Sequence, residues 1–522
     1  MIREISRRKC LRLWLCKPEY MERTKWENRF VLLRFRKKNY MMFLKDLKRF
    51  KMERLYDKLK AYSESDFYAF HMPGHKRNKA LLGIELPYDL DITEIDGFDD
   101  LHHADGILKE EQERAARVFG AEESHFLVNG STAGILSAVM GCTHRGDKIL
   151  VARHCHKSIY HAIYMNGLVP RYVYPEFDIS MHMNGEISKE DVAKALAAEP
   201  DIKAVVIVSP NYDGVVSDVK GIAEVAHSYR IPLIVDEAHG PHFGFHPAFP
   251  GRANDLGADV VINSLHKTLP SLTQTAILHI NGKIVNRRRI KKYLDMLQSS
   301  SPSYIFMASL DACVDFVDGK CENAFELYVE RLQKFREELK PLQHLQILRT
   351  EHYDISKVVI STANANITSP ELADRLRKGY HLEMEMTGGT YVLAMTTVAD
   401  TQEGLDRLKA ALLEIDGQLE AKTAVSGSIE ISGELPRLEQ YFTPQEAADR
   451  EEDGEAEEIP WKESEGHISL EYAYLYPPGS PVIVPGERIS REAVELLRYY
   501  ETQNLQIEGI QTEGKIKVWK HE

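Results

Sequence analysis

Between residues 232 and 267 the chain reads PLIVDEAHGPHFGFHPAFPGRANDLGADVVINSLHK. Two short apolar runs, 232–235 and 259–263, each end in residues able to do chemistry. Asp236, Glu237 and His239 follow the first run; Ser264, His266 and Lys267 follow the second. Runs this short, rich in Val and Ile, predict strands buried on both faces of a parallel sheet. Ligands of such sheets bind just beyond the carboxyl ends of the strands. A buried carboxylate that can face a ring nitrogen, together with a lysine that can form an imine, suits pyridoxal 5'-phosphate.

Other stretches supply matching pieces. In NGSTAG (129–134), Gly130 permits a tight turn, and Ser131 and Thr132 present hydroxyls and amides at a helix N-terminus. That is a phosphate cradle, although the same residues also make an ordinary N-cap. In RHCHKS (153–158), His156 follows another strand, where an imidazole can stack on a flat cofactor or simply cap a helix. Asp236 would pair with a pyridinium N–H in a charge-assisted bond that keeps the ring protonated, and His239 would bond the ring oxygen. Lys267, flanked by His266 in a partly dry, cationic site, would have a lowered pKa and a neutral amine. Ser264 would add a phosphate contact. Lys157 is the one competing lysine, but it opens a run of helical pattern that should turn it outward. Any one piece has an ordinary structural reading, such as an Asp capping a turn. Together, in order at successive strand ends, they point to a phosphorylated aromatic aldehyde.

The elements that must position these residues alternate. Strands are predicted at 124–128, 148–152, 171–174, 203–208, 232–235, 259–263 and 275–280, with helices at 107–119, from 132, near 157–165, at 188–198, at 218–229 and after 281. This alternation means βαβ units and a mostly parallel sheet, an α/β large domain reaching residue 320. A helix at 322–341 leads to mixed strands and helices, read as a smaller α+β domain over 321–430. An acidic run, DREEDGEAEE (449–458), marks an exposed linker or helix end, and residues 431–522 form a last domain. His71 and His75 are four apart, but Pro73 between them argues against a helical metal site, and no metal is expected. The polar stretch 91–106 is a surface or active-site loop.

Composition bounds the partners. The chain carries a net charge of −13 over 522 residues. Residues 1–51 hold 17 Lys/Arg against 5 Asp/Glu, so the remainder carries −25. An acidic body argues against nucleic acid as a partner. The basic head lacks a signal-peptide core and is expected to lie outside the fold, as from an upstream start codon with Met41, Met42 and Met52 downstream. The large domain with its N-terminal segment then occupies 52–320. No run of about 18 apolar residues predicts a membrane span. Six cysteines without a C-x-x-C pattern suggest reduced thiols in the cytoplasm.

The stretches HMPGHK (71–76), DITEIDGFDDLHHADG (91–106), FLVNGSTAG (126–134), HCHKS (154–158), VDEAHGPHFGFH (235–246), SLHKTLPSLTQTA (264–276), SSSPSY (299–304) and YPPGSPVIVPGE (476–487) resemble the Orn/Lys/Arg decarboxylase family. The likeness runs in order over roughly 52–520 and is to the short bacterial form. It implies the aspartate-aminotransferase fold, a C-terminal decarboxylase domain at 431–522, and decarboxylation of arginine, lysine or ornithine with pyridoxal phosphate, feeding polyamine synthesis. By the same resemblance Lys267 is similar to the Schiff-base lysine, Asp236 to the partner of the ring nitrogen and His156 to the stacked histidine. Ser131, Thr132 and Ser264 match phosphate ligands. His239 stands where larger inducible members typically carry Trp. The superfamily's active site lies between subunits, which implies a homodimer or a higher homo-oligomer. The alternative is an aminotransferase or an acyl-CoA-condensing synthase of the same fold. Aminotransferases commonly clamp the substrate carboxylate with an arginine of the small domain, and residues 378–406 contain none. A substrate's distal cation needs an acid, and Glu383, Glu385, Asp96, Asp99 and Asp100 are the candidates.

Overall fold

The Val- and Ile-rich runs form strands because their side chains are covered on both faces. Val205–Val208 and Val260–Asn263 are buried at every position. A computed structural model describes residues 54–81, 83–178, 183–348, 351–422, 434–475, 479–503 and 505–520. The basic head expected outside the fold, and residues 476–478 of the last motif, lie outside the described residues.

Seven strands make the large sheet: β1 Glu123–Leu127, β2 Lys148–Ala152, β3 Val169–Val173, β4 Val205–Val208, β5 Leu233–Asp236, β6 Val260–Asn263 and β7 Ala276–Ile280. Their spatial order is β1-β7-β6-β5-β4-β2-β3. All pairings are parallel except those of β7, which runs antiparallel to both β1 and β6. The core around the sheet is aliphatic, with Ile149, Val206, Ile234, Val261 and Leu278 almost wholly excluded from solvent. Order jumps across β4, where the chain crosses from β3 to the sheet centre. Functional side chains therefore gather at the carboxyl ends of β2, β5 and β6.

The helix Tyr304–Val317 is absent from the sequence reading; it buries eight residues around most of its girth. The long helix Glu322–Glu338 then leads to a second sheet of β8 Gln346–Ile347, β9 Lys357–Ser361, β10 Met386–Thr387 and β11 Tyr391–Met395. Its order is β8-β9-β11-β10, all antiparallel. The strand β9 is buried throughout, including Lys357 at its head. The acidic run covers the end of helix Pro444–Glu452 and most of the strand Ala456–Pro460, which pairs with Lys515–Trp519. A fully buried Arg153 next to β2 donates to Glu487 and to the Val482 carbonyl, each at 3.0 Å. That ion pair fixes the C-terminal region against the large sheet. Among the described residues no helix is long and apolar enough to cross a membrane.

Candidate active site

Asp236 is the last residue of β5 and pairs across to Ile262 of β6. It is 3 % exposed, and its Oδ1 accepts from the Ala238 N–H at 3.1 Å. Burial pushes its carboxyl up, while the nearby Lys267 charge pulls it back. Lys267 sits one turn beyond β6, in the short helical segment Leu265–Thr268 that follows Ser264. Burial lowers its pKa, against the opposing pull of Asp236 and then Glu385. An acid and an amine are thus held at the ends of adjacent strands, each at the cost of desolvation.

His239 reaches Lys267 from the loop after β5. Its Nε2 lies 2.9 Å from Lys267 Nζ, and its Nδ1 lies 2.9 Å from the Nζ of Lys357. The ring packs 4.5 Å from that of Tyr212. Burial first, then the two lysines, hold this imidazole well below its ordinary pKa, so it is neutral. His156 caps the helix Lys157–Met165, its Nδ1 accepting from the Ser158 N–H at 3.2 Å. Burial and then the Lys267 charge lower it to about 4.

The candidate phosphate ligands converge less uniformly. Gly130 takes a φ of +73°, a conformation that glycine adopts without strain. It opens the helix Gly130–Cys142, whose N-cap Asn129 makes no side-chain capping bond. The first-turn amides, with half-buried Ser131 and exposed Thr132, are left to an incoming anion or to water. Ser264 is wholly buried and its Oγ has no hydrogen-bond partner. A sealed hydroxyl without a partner costs stability, which a bound ligand oxygen would relieve. His266 is engaged at one nitrogen: its Nδ1 donates to the Thr275 carbonyl at 2.8 Å and holds the segment after Lys267. Lys157 is half-buried, its ammonium 5.2 Å from the centre of the Tyr474 ring.

Of the five candidate acids, Glu385 is the one whose charge bears on Lys267 and Lys357; it accepts a hydrogen bond from the Tyr212 hydroxyl. Asp99 instead organises its own loop, accepting from the N–H groups of Asp105, Gly106 and Leu108 at 2.9–3.0 Å. Asp100 likewise accepts from the His102 N–H at 2.8 Å. His71 lies 2.9 Å from the Tyr62 hydroxyl and His75 lies 3.2 Å from Asp91. No group of three or more His, Cys, Asp or Glu among the described residues is arranged to hold a metal.

Sequence reasoning missed Lys357. The one signal was a lysine at the head of an otherwise apolar strand run, KVVIS. Asp354 and His242 go with it: His242 Nε2 is 3.1 Å from Asp354 Oδ1, which ties the loop after β5 to the start of β9.

Comparison with known proteins decides the family. The model of the Orn/Lys/Arg decarboxylase major domain matches residues 53–421, and that of the C-terminal domain matches 433–514. The chain belongs to the Orn/Lys/Arg decarboxylase family. As a member it is a carboxy-lyase acting on amino acids, with the aspartate-aminotransferase-like α/β fold. It is 33 % identical to the arginine decarboxylase of Bacillus subtilis (strain 168), over 87 % of this chain and 95 % of that one. To the arginine decarboxylase of Bacillus anthracis it is 32 % identical, over 89 % and 97 %. The crystal structure of the lysine decarboxylase of Francisella novicida superposes with a TM-score of 0.76 at 20 % identity, covering 89 % of this chain and 80 % of that one. That last likeness speaks for the decarboxylase fold, not for the substrate.

Proposed function

We propose that this decarboxylase uses pyridoxal 5'-phosphate and acts on arginine, releasing carbon dioxide and the corresponding amine for polyamine synthesis. The observation that carries the reading is the pair Asp236 and Lys267 at adjacent strand ends, with neutral His239 on the lysine nitrogen. The residues fit the cofactor. Ser264 offers a buried hydroxyl without a partner, and the helix beginning at Gly130 offers first-turn amides beside Ser131 and Thr132. Asp236 would hold the ring nitrogen, and His156 would lie against the ring. When bound, the cofactor supplies an electron sink for the bond to the departing carboxylate. Lys267 Nζ would bring a proton to the carbon left behind, with His239 Nε2 as its 2.9 Å neighbour. Glu385 is the acid best placed to meet a distal guanidinium.

Arginine is favoured over lysine and ornithine by the names of the Bacillus relatives. Against an aminotransferase, the two arginines flanking the small-domain segment are engaged elsewhere. Arg377 donates to Asp374 at 2.9 Å and Arg407 to the Tyr380 carbonyl at 3.0 Å. A homodimer is the assembly this reading includes, supported by the exposed run Phe67, Tyr68, Phe70 and Met72, and unpaired thiols at Cys155, Cys313 and Cys321 suit the cytoplasm. The test is incubation of the purified full chain and pyridoxal phosphate with each of the three amino acids, followed by mass spectrometry. Carbon dioxide and decarboxylated arginine are expected; a 2-oxo acid without carbon dioxide would establish transamination instead.

A further inference from the structure

His239 is held between two lysines, each 2.9 Å from one of its ring nitrogens. A neutral imidazole carries one N–H and one lone pair, so its two neighbours must play different parts. One donates to the lone pair; the other accepts from the N–H. An ammonium can only donate, which makes the charged lysine the one facing the lone pair.

An amine that attacks an aldehyde must be neutral, so with Lys267 in that part the charged neighbour of His239 is Lys357, and its surroundings must support that charge. Lys357 is completely buried, and three carboxylates bear on it. Asp354 is wholly buried, bonded to His242 and to Ser356. Asp213 accepts from the Tyr391 hydroxyl, and Glu385 accepts from Tyr212. A charge on Lys267 would oppose it, so the two lysines disfavour being ammonium together. On the strand side, Arg336 donates to the Lys357 carbonyl at 2.7 Å and the Tyr353 hydroxyl donates to it at 2.8 Å. The fit is close: a Cβ on Gly214 would come within 2.7 Å of Lys357 Cγ. Burial lowers the Lys357 ammonium to about 8, and Asp354 stays below the ordinary carboxyl range because His242, Lys357 and Ser356 outweigh its burial. Lys267 is likewise lowered by burial, with Asp236 and then Glu385 opposing, and Asp236 is the group the ring nitrogen would engage.

We propose that Lys357 is a positioning residue: its ammonium donates to His239 Nδ1, fixes the imidazole proton on Nε2, and thereby holds the Lys267 amine neutral and able to attack an aldehyde. This rests on the reading of Lys267 as the lysine that receives the cofactor. It also explains why a lysine occupies a strand head that is otherwise apolar.

Two measurements test it. In the wild-type full chain without cofactor, nitrogen NMR of labelled histidine reports the tautomer of His239, with the signal assigned by its loss in His239→Gln. The Nε2–H tautomer is expected, and the Nδ1–H tautomer overturns the proposal without any change at Lys357. The second measurement follows the pH dependence of borohydride trapping of added pyridoxal phosphate on Lys267, located by peptide mapping. Lys357→Met should move the midpoint up by about one pH unit, a roughly tenfold smaller neutral fraction at a fixed lower pH. Lys357→Arg, which keeps the charge and the donor, should restore it. A purely structural lysine would lower the yield of folded protein and leave the midpoint in place, so an unmoved or lowered midpoint in folded Lys357→Met overturns the proposal. Should Lys357→Met fail to fold, the histidine spectrum decides. Trapping on a different lysine in the wild type would instead remove the reading on which the proposal rests.

Discussion

Asn263 and Glu237 lock together the two strand ends that carry the chemistry. Asn263 Nδ2 donates to the Glu237 carbonyl and to Glu237 Oε2, each at 3.0 Å. Asn263 is the last residue of β6 and Glu237 follows directly on Asp236 of β5. The other carboxyl oxygen, Oε1, accepts from the Ala253 N–H at 2.8 Å. One buried side-chain pair therefore sets the spacing between the Asp236 carboxylate and the turn that presents Lys267.

Glu237 gives this link a pH dependence. Burial raises its carboxyl from 4.5 to about 8, with Asn263 and the Ala253 N–H pulling the other way. The folded state thus keeps a proton that the unfolded chain releases. Its contribution to stability is fully present below about 4.5 and is lost as pH rises towards about 8, at about 1.4 kcal/mol per pH unit. Glu237→Gln keeps the shape and removes this slope. Denaturation by urea from pH 5 to 8 should show the variant gaining steadily on the wild type. Comparing the two proteins cancels the opposite trend of buried His154 and His279, lowered by burial to about 4 and about 3. A stability difference that stays flat across this range rules out a protonated Glu237.

Ser264→Ala separates binding from folding. The Ser264 hydroxyl is sealed from solvent without a partner, so its removal should leave the cofactor-free protein as stable as before or slightly more so. If that hydroxyl meets the cofactor phosphate, losing a bond to a charged group of about 1.5–3 kcal/mol weakens binding roughly ten- to a hundredfold. Equilibrium titration with pyridoxal phosphate and thermal melts of the cofactor-free protein read the two effects apart. Unchanged affinity removes Ser264 from the phosphate site.

Much of the large sheet is legible in the sequence because buried strands of Val and Ile end abruptly in polar residues, which places Asp236 and Lys267 at strand ends. The direction of β7 is not, since TAILHI looks the same whether its neighbours run parallel or antiparallel. Helix Tyr304–Val317 escapes because burial at Tyr304, Met307, Ala308, Asp311 and Val314, among others, leaves little amphipathic period. Lys357 escapes for a different reason. It meets His239 across 118 residues, and only the docking of β9 against the loop after β5, fixed by His242 and Asp354, brings it there. Asp99 is a candidate substrate acid in the sequence because density of charge in a loop suggests function, whereas its carboxylate closes that loop onto the helix Ile107–Val118.

Asp236→Asn tests the partner of the ring nitrogen. Asn keeps an oxygen for the Ala238 N–H bond and removes the charge. Cofactor should still be retained through its phosphate, while turnover should fall by one to two decades, the equivalent of a charge-assisted bond of about 1.5–3 kcal/mol. The same change relieves the burial that pushes this carboxyl up, so the cofactor-free protein should not lose stability. Steady-state kinetics on the fully loaded enzyme checks the first effect, and a variant as fast as wild type shows that Asp236 faces something other than the ring.

Lys267→Ala is the most direct test of the site. Three lysines compete to hold the cofactor. Lys157 opens the helix Lys157–Met165 with its ammonium over Tyr474, and Lys357 is wholly buried behind His239. Lys267 alone combines partial exposure with a place at a strand end beside Asp236. Its replacement should abolish borohydride-trapped label and nearly all decarboxylation. It leaves Ser131, Thr132 and Ser264 in place, so cofactor should remain bound without a covalent link and be lost on dialysis. It also leaves the His239 Nε2 without its 2.9 Å partner, at a cost in stability of about 1–3 kcal/mol unless water enters. Peptide mapping of the trapped wild-type protein completes the test: label on the peptide containing Lys157 or Lys357 would move the site away from the end of β6.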